Sequence, residues 1–467
     1  MSSSGNTKTV LVSISSGIIL RNFLAFGGSF LDHIRGKARV VLVVPPEALE
    51  HVRSTYAGQD IYVEAAQFDY ALSLLQKIYN FFIAHLNFTE GARLFAYHGV
   101  RIDVPQSFQS RALYPIKVLI SKTLGKLRFF REVLPSLLDA HLFTRRIGKE
   151  IFDAYQPSLV FLTNVHHRLD VELIREARRG SVRTIGMPGS WDHFPKRYEP
   201  VRTETLLVWN EPTRTEAIEL QGYRREQTVL TGAPYYDVLA DPSLLIDRES
   251  FFTQHGLMPD RKLMFFTSGA VYAPDDADVI EDLVTALRED AYAQAAQLYI
   301  RPYPGIQSEH ERYDRFENTQ HVVIGWIPET KGFADPWIPN KEDVREFVNF
   351  LYHADIVINT ASSIAIEASA FLKPIVNIGF DGHGHRPYGK SLKRFKRLTH
   401  YQHIYETGGT ILVEERERLI PTINTFLLDP AYNRENIIRL RDKMCWKIDG
   451  QSGKRIADTI LSALYEK

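Results

Sequence analysis

Between Val357 and Ile378 the sequence reads VINTASSIAIEASAFLKPIVNI. An apolar run ends at Asn359, small and hydroxyl residues follow at Thr360, Ser362 and Ser363, and one carboxylate, Glu367, stands in an otherwise apolar helical pattern. A helix beginning near Ser362 or Ser363 presents unpaired backbone N–H groups and the positive end of its dipole. Hydroxyls beside them add donors, so a diphosphate can be held there. One turn further on, Glu367 is placed to accept from both hydroxyls of a ribose whose phosphates lie at the helix end. The same residues also suit a plainer arrangement, a serine cap with Glu367 solvated or salt-bridged.

Other polar groups stand at the ends of predicted strands, where ligands bind in open α/β sheets. Ser268, between Thr267 and Gly269, follows KLMFF, and Arg301 and Tyr303 follow AQLYI. An arginine there suits a phosphate fork. Trp326 follows HVVIG and suits stacking on a base or filling a cleft. In the first half, Gly17 follows the first strand in SSGIILRNFL, with Arg21 and Asn22 close behind. These two could contact an anionic group, or serve as an exposed arginine and a helix cap. His166 and His167 stand at a strand end in NVHHRLD, and Asp192 and His193 follow a Gly-rich turn in GMPGSWDHFPKR. A displacement that inverts a centre needs one base to take the proton of the attacking group as the leaving group departs; Asp192 is the first candidate and His193 the second. His383 and His385, in DGHGHRPYGK, could grip a metal only with a third ligand from elsewhere. A loop beside the nucleotide is the expectation there, with no metal.

The elements that must position these groups alternate regularly. KTVLVSI, ARVVLVVPP, PSLVFLTN, RTIGMPG, ETLLVWN and QTVLTGAP read as short buried strands separated by helical patterns. A second series runs through RKLMFFTSG, AQLYIRPYP, HVVIGW, ADIVINT, KPIVNIGF and TILVEE. Strand, helix, strand in repetition predicts parallel sheets. The expected fold class is α/β, with two Rossmann-like doubly wound domains facing across a cleft. The predicted domains are residues 1–235, with a helical insertion at about 65–155, then 236–448, then a C-terminal helical segment 449–467 packing back across the cleft.

Composition narrows the function. A chain of 467 residues suits two domains of roughly 200 residues each. Its 56 basic and 56 acidic residues cancel, which argues against a nucleic-acid partner. Cys445 is the one cysteine, so no intrachain disulfide can form. The N-terminus MSSSGNTKTV lacks the apolar core of a signal peptide, and no transmembrane helix is expected. The expected location is the cytoplasm. One segment qualifies this: Arg111 to Arg131 holds six Lys or Arg and no acid, interleaved with Leu, Ile, Val and Phe. It reads either as a peripheral contact with the inner face of the plasma membrane or as a solvated basic helix face.

The second half resembles the nucleotide-sugar-binding domain of GT-B glycosyltransferases, in the bacterial surface-polysaccharide branch related to CDP-glycerol glycerophosphotransferases. The motifs are GAPYYD (232–237), RPYPG, HADIVINTASSIAIEASAFLKPIVNI, HYQHIYETGG (400–409) and DGQSGKRIADTI. The resemblance implies that Ser362, Ser363 and Glu367 bind the nucleotide diphosphate and ribose, that Arg301 to Pro304 join them, and that His400 and Tyr401 lie near the cleft. Tyr303 stands where the glycerophosphotransferases usually show His. The implied activity is transfer from a nucleotide-activated sugar, a substrate and not a bound cofactor, to a surface glycan or lipid-linked acceptor held by the N-terminal domain. No tightly bound cofactor and no obligatory metal are implied. The alternatives are a CDP-glycerol or ribitol-type polyol-phosphate transferase, a nonhydrolysing UDP-sugar epimerase whose usual acid/base set is not recognisable here, and a non-catalytic nucleotide or glycan binder. No G-x-G-x-x-G follows the first strand, which argues against an NAD dehydrogenase.

Overall fold

The computed structural model describes residues 7–24, 29–87, 89–102, 104, 107–304, 308–327 and 339–465. Among the described residues thirteen strands form two sheets, all of whose strand pairs are parallel. The first contains β1 (Thr9–Ser13), β2 (Arg39–Val44), β3 (Ile61–Ala65), β4 (Leu159–Leu162), β5 (Arg183–Gly186), β6 (Thr205–Val208) and β7 (Thr228–Leu230). Their order is β3-β2-β1-β4-β5-β6-β7. The second contains β8 (Lys262–Thr267), β9 (Ala296–Arg301), β10 (Val322–Ile324), β11 (Ile356–Asn359), β12 (Ile375–Ile378) and β13 (Ile411–Val413), ordered β10-β9-β8-β11-β12-β13. Every strand predicted above is present, and β3 is an addition.

Helices cover both faces of each sheet, so the central strands are buried along their whole length and must read as continuous apolar runs. All of β1, β4, β9, β11 and β12 is buried. The strand order reverses between β1 and β4, where Leu11 pairs with Val160, and between β8 and β11, where Phe265 pairs with Val357. Neighbouring connections leave these switch points in opposite directions, which opens a crevice beyond the carboxyl ends of the strands. Two doubly wound sheets of this order make the GT-B arrangement expected from the sequence.

Two elements tie the halves together. The helix Ser452–Tyr465 buries Ile456, Ala457, Ile460 and Leu464. The Asp237 carboxylate caps its start, accepting from the amides of Ser452 (3.1 Å) and Gly453 (2.9 Å). Its far end reaches the first sheet, where Arg183 donates to the Ala463 carbonyl at 2.8 Å and Tyr465 to that of Lys37 at 2.7 Å.

The second tie is the helical insertion. Its helices Leu74–Ala84, Tyr114–Lys122 and Leu134–Leu142 surround a small core of Tyr79, Ile83, Leu86, Phe143 and Tyr198. Its helix Glu90–His98 touches the other half, with the Gly91 amide 2.9 Å from Thr399 Oγ1. The buried Arg394 donates to the carbonyls of Gly99 (2.9 Å) and Val100 (2.6 Å). Among the described residues no helix is long and apolar enough to cross a membrane.

Candidate active site

The switch-point loops of the second sheet carry the nucleotide-site candidates. After β11 the chain turns at Ala361, a residue with a side chain held at φ +43°. Such a conformation persists only where its surroundings enforce it. Here the Asn359 side chain accepts from the Ser362 amide at 3.2 Å, and Tyr401, fully buried, donates to the Ser362 carbonyl at 3.1 Å. The helix begins at Ile364 and ends at Ala370, one or two residues later than the hydroxyl pattern suggested. Ser363 precedes it without a side-chain cap, and Ser362 Oγ accepts weakly from the Ile364 amide at 3.4 Å. The turn therefore uses part of its own donor set. Thr360 is buried, its hydroxyl 3.5 Å from Asp276.

Glu367 is neither solvated nor a surface salt bridge. It is buried, and burial pushes its carboxyl up to about 7, against the opposing charges of Arg21 and Arg301 and the Tyr235 hydroxyl that hydrogen-bonds to it. Arg21 comes from the helix that follows β1. Its Nε and Nη2 donate to the buried Asn22 Oδ1 at 3.0 and 2.8 Å, and its guanidinium lies 4.0 Å from the centroid of the Tyr235 ring. Asn22 thus aims Arg21, and Arg21 carries the first half of the chain to the carboxylate of the second. Arg301 is buried at the end of β9, 3.6 Å from Glu346, and its Nη1 has no hydrogen-bond partner among the described residues. A buried guanidinium nitrogen without a hydrogen bond is a ready donor for an oxyanion, here with the Glu346 carboxylate 3.6 Å from the same nitrogen.

A second cluster lies on loops of the first sheet. Gly189 allows its loop to press against the neighbouring one: a Cβ there would lie 2.7 Å from Asn164 Cγ. The chain then brings Ser190 Oγ to Asp192 at 2.6 Å and pairs Asp192 with Lys196, one helical turn on. Burial alone would raise the Asp192 carboxyl. The Lys196 ammonium, with His400 and His193 beside it, reverses this and holds it far below the usual carboxylate range. Burial pushes His193 down to about 4 and His400 to about 3, and lowers His166 well below its ordinary value. The rings of His166 and His193 meet edge to face at 5.2 Å, and His400 packs on Trp191 at 5.5 Å. At neutral pH the cluster is one ionised carboxylate among neutral imidazoles. Beside it His403 reaches Glu216 at 2.8 Å. Tyr236, buried between the clusters, has its ionisation opposed first by burial and also by both Glu367 and Asp192.

The remaining candidates are placed as follows. Gly17 is buried and opens its helix. His167 caps the helix Arg168–Arg179, accepting from the Leu169 amide at 3.2 Å. The variant His167→Ala is expected to lose about 1 kcal/mol of stability, as caps generally do, readable as a fall in melting temperature. Ser268 Oγ accepts from the Ala270 amide and the Tyr313 hydroxyl, each at 2.9 Å, and so holds its own turn. Tyr303 is exposed. Trp326 stacks on His310 with centroids 3.7 Å apart and donates to Glu317 at 3.1 Å, so one face of its ring is already covered. His383 gathers with Asp278 and Glu281, without His385, and contacts Asp282 at 2.9 Å. Sequence reasoning had assigned no role to Tyr235, Lys196, Glu216 or His403. Lys196 was legible as an i,i+4 partner of Asp192. The Glu216–His403 pair, formed between distant parts of the chain, left no local trace.

No protein-family model matches the chain, and comparison with curated proteins finds no sequence match. Solved structures do share its architecture. The MnaA–UDP co-structure of S. aureus superposes with a TM-score of 0.53 at 13% identity, over 98% of this chain and 97% of that one. The UDP-GlcNAc 2-epimerase of Neisseria meningitidis bound to UDP-GlcNAc gives 0.52 at 12%, over 97% and 100%. That of Methanocaldococcus jannaschii gives 0.50 at 11%, over 97% and 99%. These likenesses corroborate the two-domain GT-B fold. They also correct the expected placement beside the CDP-glycerol glycerophosphotransferases, because the structures matched from end to end include several UDP-GlcNAc 2-epimerases, with a glycosyltransferase of Rickettsia africae at a TM-score of 0.50 and 11% identity. The expected transfer of a sugar to a glycan or lipid-linked acceptor is corrected with it, because UDP-GlcNAc 2-epimerases among these structures reach TM-scores of 0.51 to 0.54, above the 0.50 of the glycosyltransferase.

Proposed function

We propose that the chain is an enzyme of the UDP-sugar epimerase kind, acting on the sugar of a bound nucleoside diphosphate sugar without a second acceptor. The observation that carries this reading is the pair of unlike clusters at the carboxyl ends of the strands of the two sheets, with the buried Tyr236 feeling the carboxylates of both. One is a buried carboxylate with two arginines; the other is an ionised carboxylate among neutral imidazoles. The epimerase structures that share the fold support the same reading.

In this reading Glu367 accepts from the ribose hydroxyls, while Arg21, Arg301 and the turn Thr360–Ser363 face the diphosphate. The C-2 hydrogen of a glycosyl diphosphate is not acidified by a carbonyl, so its removal must accompany breakage of the anomeric C–O bond. A base takes the C-2 proton, the C–H electron pair forms a C1=C2 bond, and the nucleoside diphosphate leaves with the C–O pair. Protonation of C-2 from the opposite face and re-addition of the diphosphate at C-1 restore the glycoside with C-2 inverted. Every atom is returned, and no oxidant or acceptor enters. Asp192 is the base or the group that polarises it, with His193 and His166 as proton carriers, and the arginines stabilise the departing diphosphate.

Incubation with UDP-GlcNAc in D2O, followed by proton NMR, tests this. The expected result is appearance of the C-2 epimer with deuterium at C-2 of both sugars. Loss of UDP-GlcNAc only when an acceptor is added, with no deuterium at C-2, would overturn it.

A further inference from the structure

The helical insertion takes no part in the proposed chemistry, yet it carries the most unusual surface of the protein. More than half of the exposed large apolar side chains among the described residues fall between Leu74 and Leu138. Leu74, Leu75 and Ile78 stand out from the helix Leu74–Ala84 at 73%, 64% and 55% exposure, while Tyr79 and Ile83 turn inward. Phe108, Leu119 and Phe129 are exposed at 83%, 61% and 50%. So many exposed apolar side chains on one insertion point to an interaction site.

The charges identify the partner. Lys117 is buried and donates to Ser110 at 3.0 Å, and Arg131 donates to the Glu219 carbonyl at 2.9 Å, so the fold absorbs part of the basic stretch. Arg111, Lys122, Lys126 and Arg128 remain exposed among the apolar groups. From Phe108 to Val133 the one acid is Glu132, 2.7 Å from Arg128. A second copy of the chain is a poor cover for this face, because interface cores are depleted in lysine and like charges would meet there. Apolar groups interleaved with exposed cations match a layer with hydrocarbon below and anionic phosphates at the rim.

We propose that this insertion docks on the surface of an anionic lipid bilayer, its leucines and phenylalanines entering the interface and Lys122, Lys126 and Arg111 pairing with lipid phosphates. The helix Glu90–His98 of the same insertion touches the second domain through Gly91 and Thr399.

Flotation of the full chain with vesicles of phosphatidylcholine and phosphatidylglycerol (7:3), against phosphatidylcholine alone, tests this without reference to turnover. Binding is expected to the anionic vesicles, to weaken at high salt, and to fall roughly thirtyfold in Lys122→Gln/Lys126→Gln, from about one surface lysine's attraction each. Leu74→Ser/Leu75→Ser is expected to weaken it as well. All four side chains are exposed, so melting temperature should change little and serves as the folding control. Absence of flotation by the folded wild type, or equal binding to neutral vesicles, overturns the proposal. So does a dimer, seen by ultracentrifugation, that Leu74→Ser/Leu75→Ser dissociates while wild type fails to float.

Discussion

Replacement of Glu367 by glutamine is expected to weaken UDP binding ten- to a hundredfold and, at the same time, to stabilise the nucleotide-free protein at alkaline pH. The binding loss follows from the proposed role. A hydrogen bond to a charged acceptor contributes about 1.5–3 kcal/mol, and an amide offers one neutral oxygen where the carboxylate offers two charged ones. The gain in stability follows from burial. The Glu367 carboxyl is raised from 4.5 to about 7 in the folded chain, chiefly by desolvation. A raised acid pKa means that the folded state holds the proton more tightly than the unfolded one. That contribution is present in full below about pH 4.5 and is lost as pH rises through 7. Above that pH, the ionised carboxylate destabilises the empty protein by about 3 kcal/mol relative to its protonated form. Glutamine does not ionise, so the difference in melting temperature between variant and wild type should be small near pH 5 and grow to several degrees by pH 8.5. Titration calorimetry with UDP and melting curves at the two pH values check both halves. Unchanged UDP affinity would remove Glu367 from the nucleotide site, whatever the melting curves show.

Asp192→Asn is expected to lower turnover by about three orders of magnitude, the range of a lost general acid or base, with UDP affinity kept within a few-fold. Asparagine preserves the size of the side chain and its acceptance from Ser190, but it cannot take a proton. The companion variant Lys196→Met separates charge from geometry. In the wild type the Lys196 ammonium outweighs burial and holds Asp192 far below the usual carboxylate range, so Asp192 is ionised throughout the working pH range. Without that charge burial acts unopposed by its main counterweight, and the acidic limb of the pH–rate profile should move to higher pH while the alkaline limb stays in place. Deuterium incorporation at C-2 of UDP-GlcNAc measures both variants. Full exchange by Asp192→Asn would pass the role of base to His193 or His166.

The strands of both sheets were readable because parallel strands covered on two faces must be apolar throughout, and such runs stand out between helical patterns. The strand β3 was missed for the converse reason. It lies at the edge of its sheet and reads IYVEA with Tyr62 exposed and Glu64 half-buried, so only alternate positions carry the apolar signal. The nucleotide-site candidates were legible because Ser362, Ser363 and Glu367 lie within one turn and one helix, where spacing alone relates them. The burial of Glu367 was not legible, because Tyr235 and Arg21, which cover it, arrive from a different loop and a different domain.

The sequence by itself determined the doubly wound class, the positions of polar groups at strand ends, and the interleaved basic and apolar character of the insertion. Each of these is a local pattern, set by the period of a helix or strand and by which residue follows it. The tertiary structure decided which of those groups act together. It set Arg21 over Tyr235 against Glu367, surrounded Asp192 with Lys196 and His400, turned His167 into a helix cap and covered one face of Trp326 with His310. Protonation states and pairings depend on distance and desolvation in three dimensions, and residues more than two hundred positions apart leave no mark of their meeting on the chain between them.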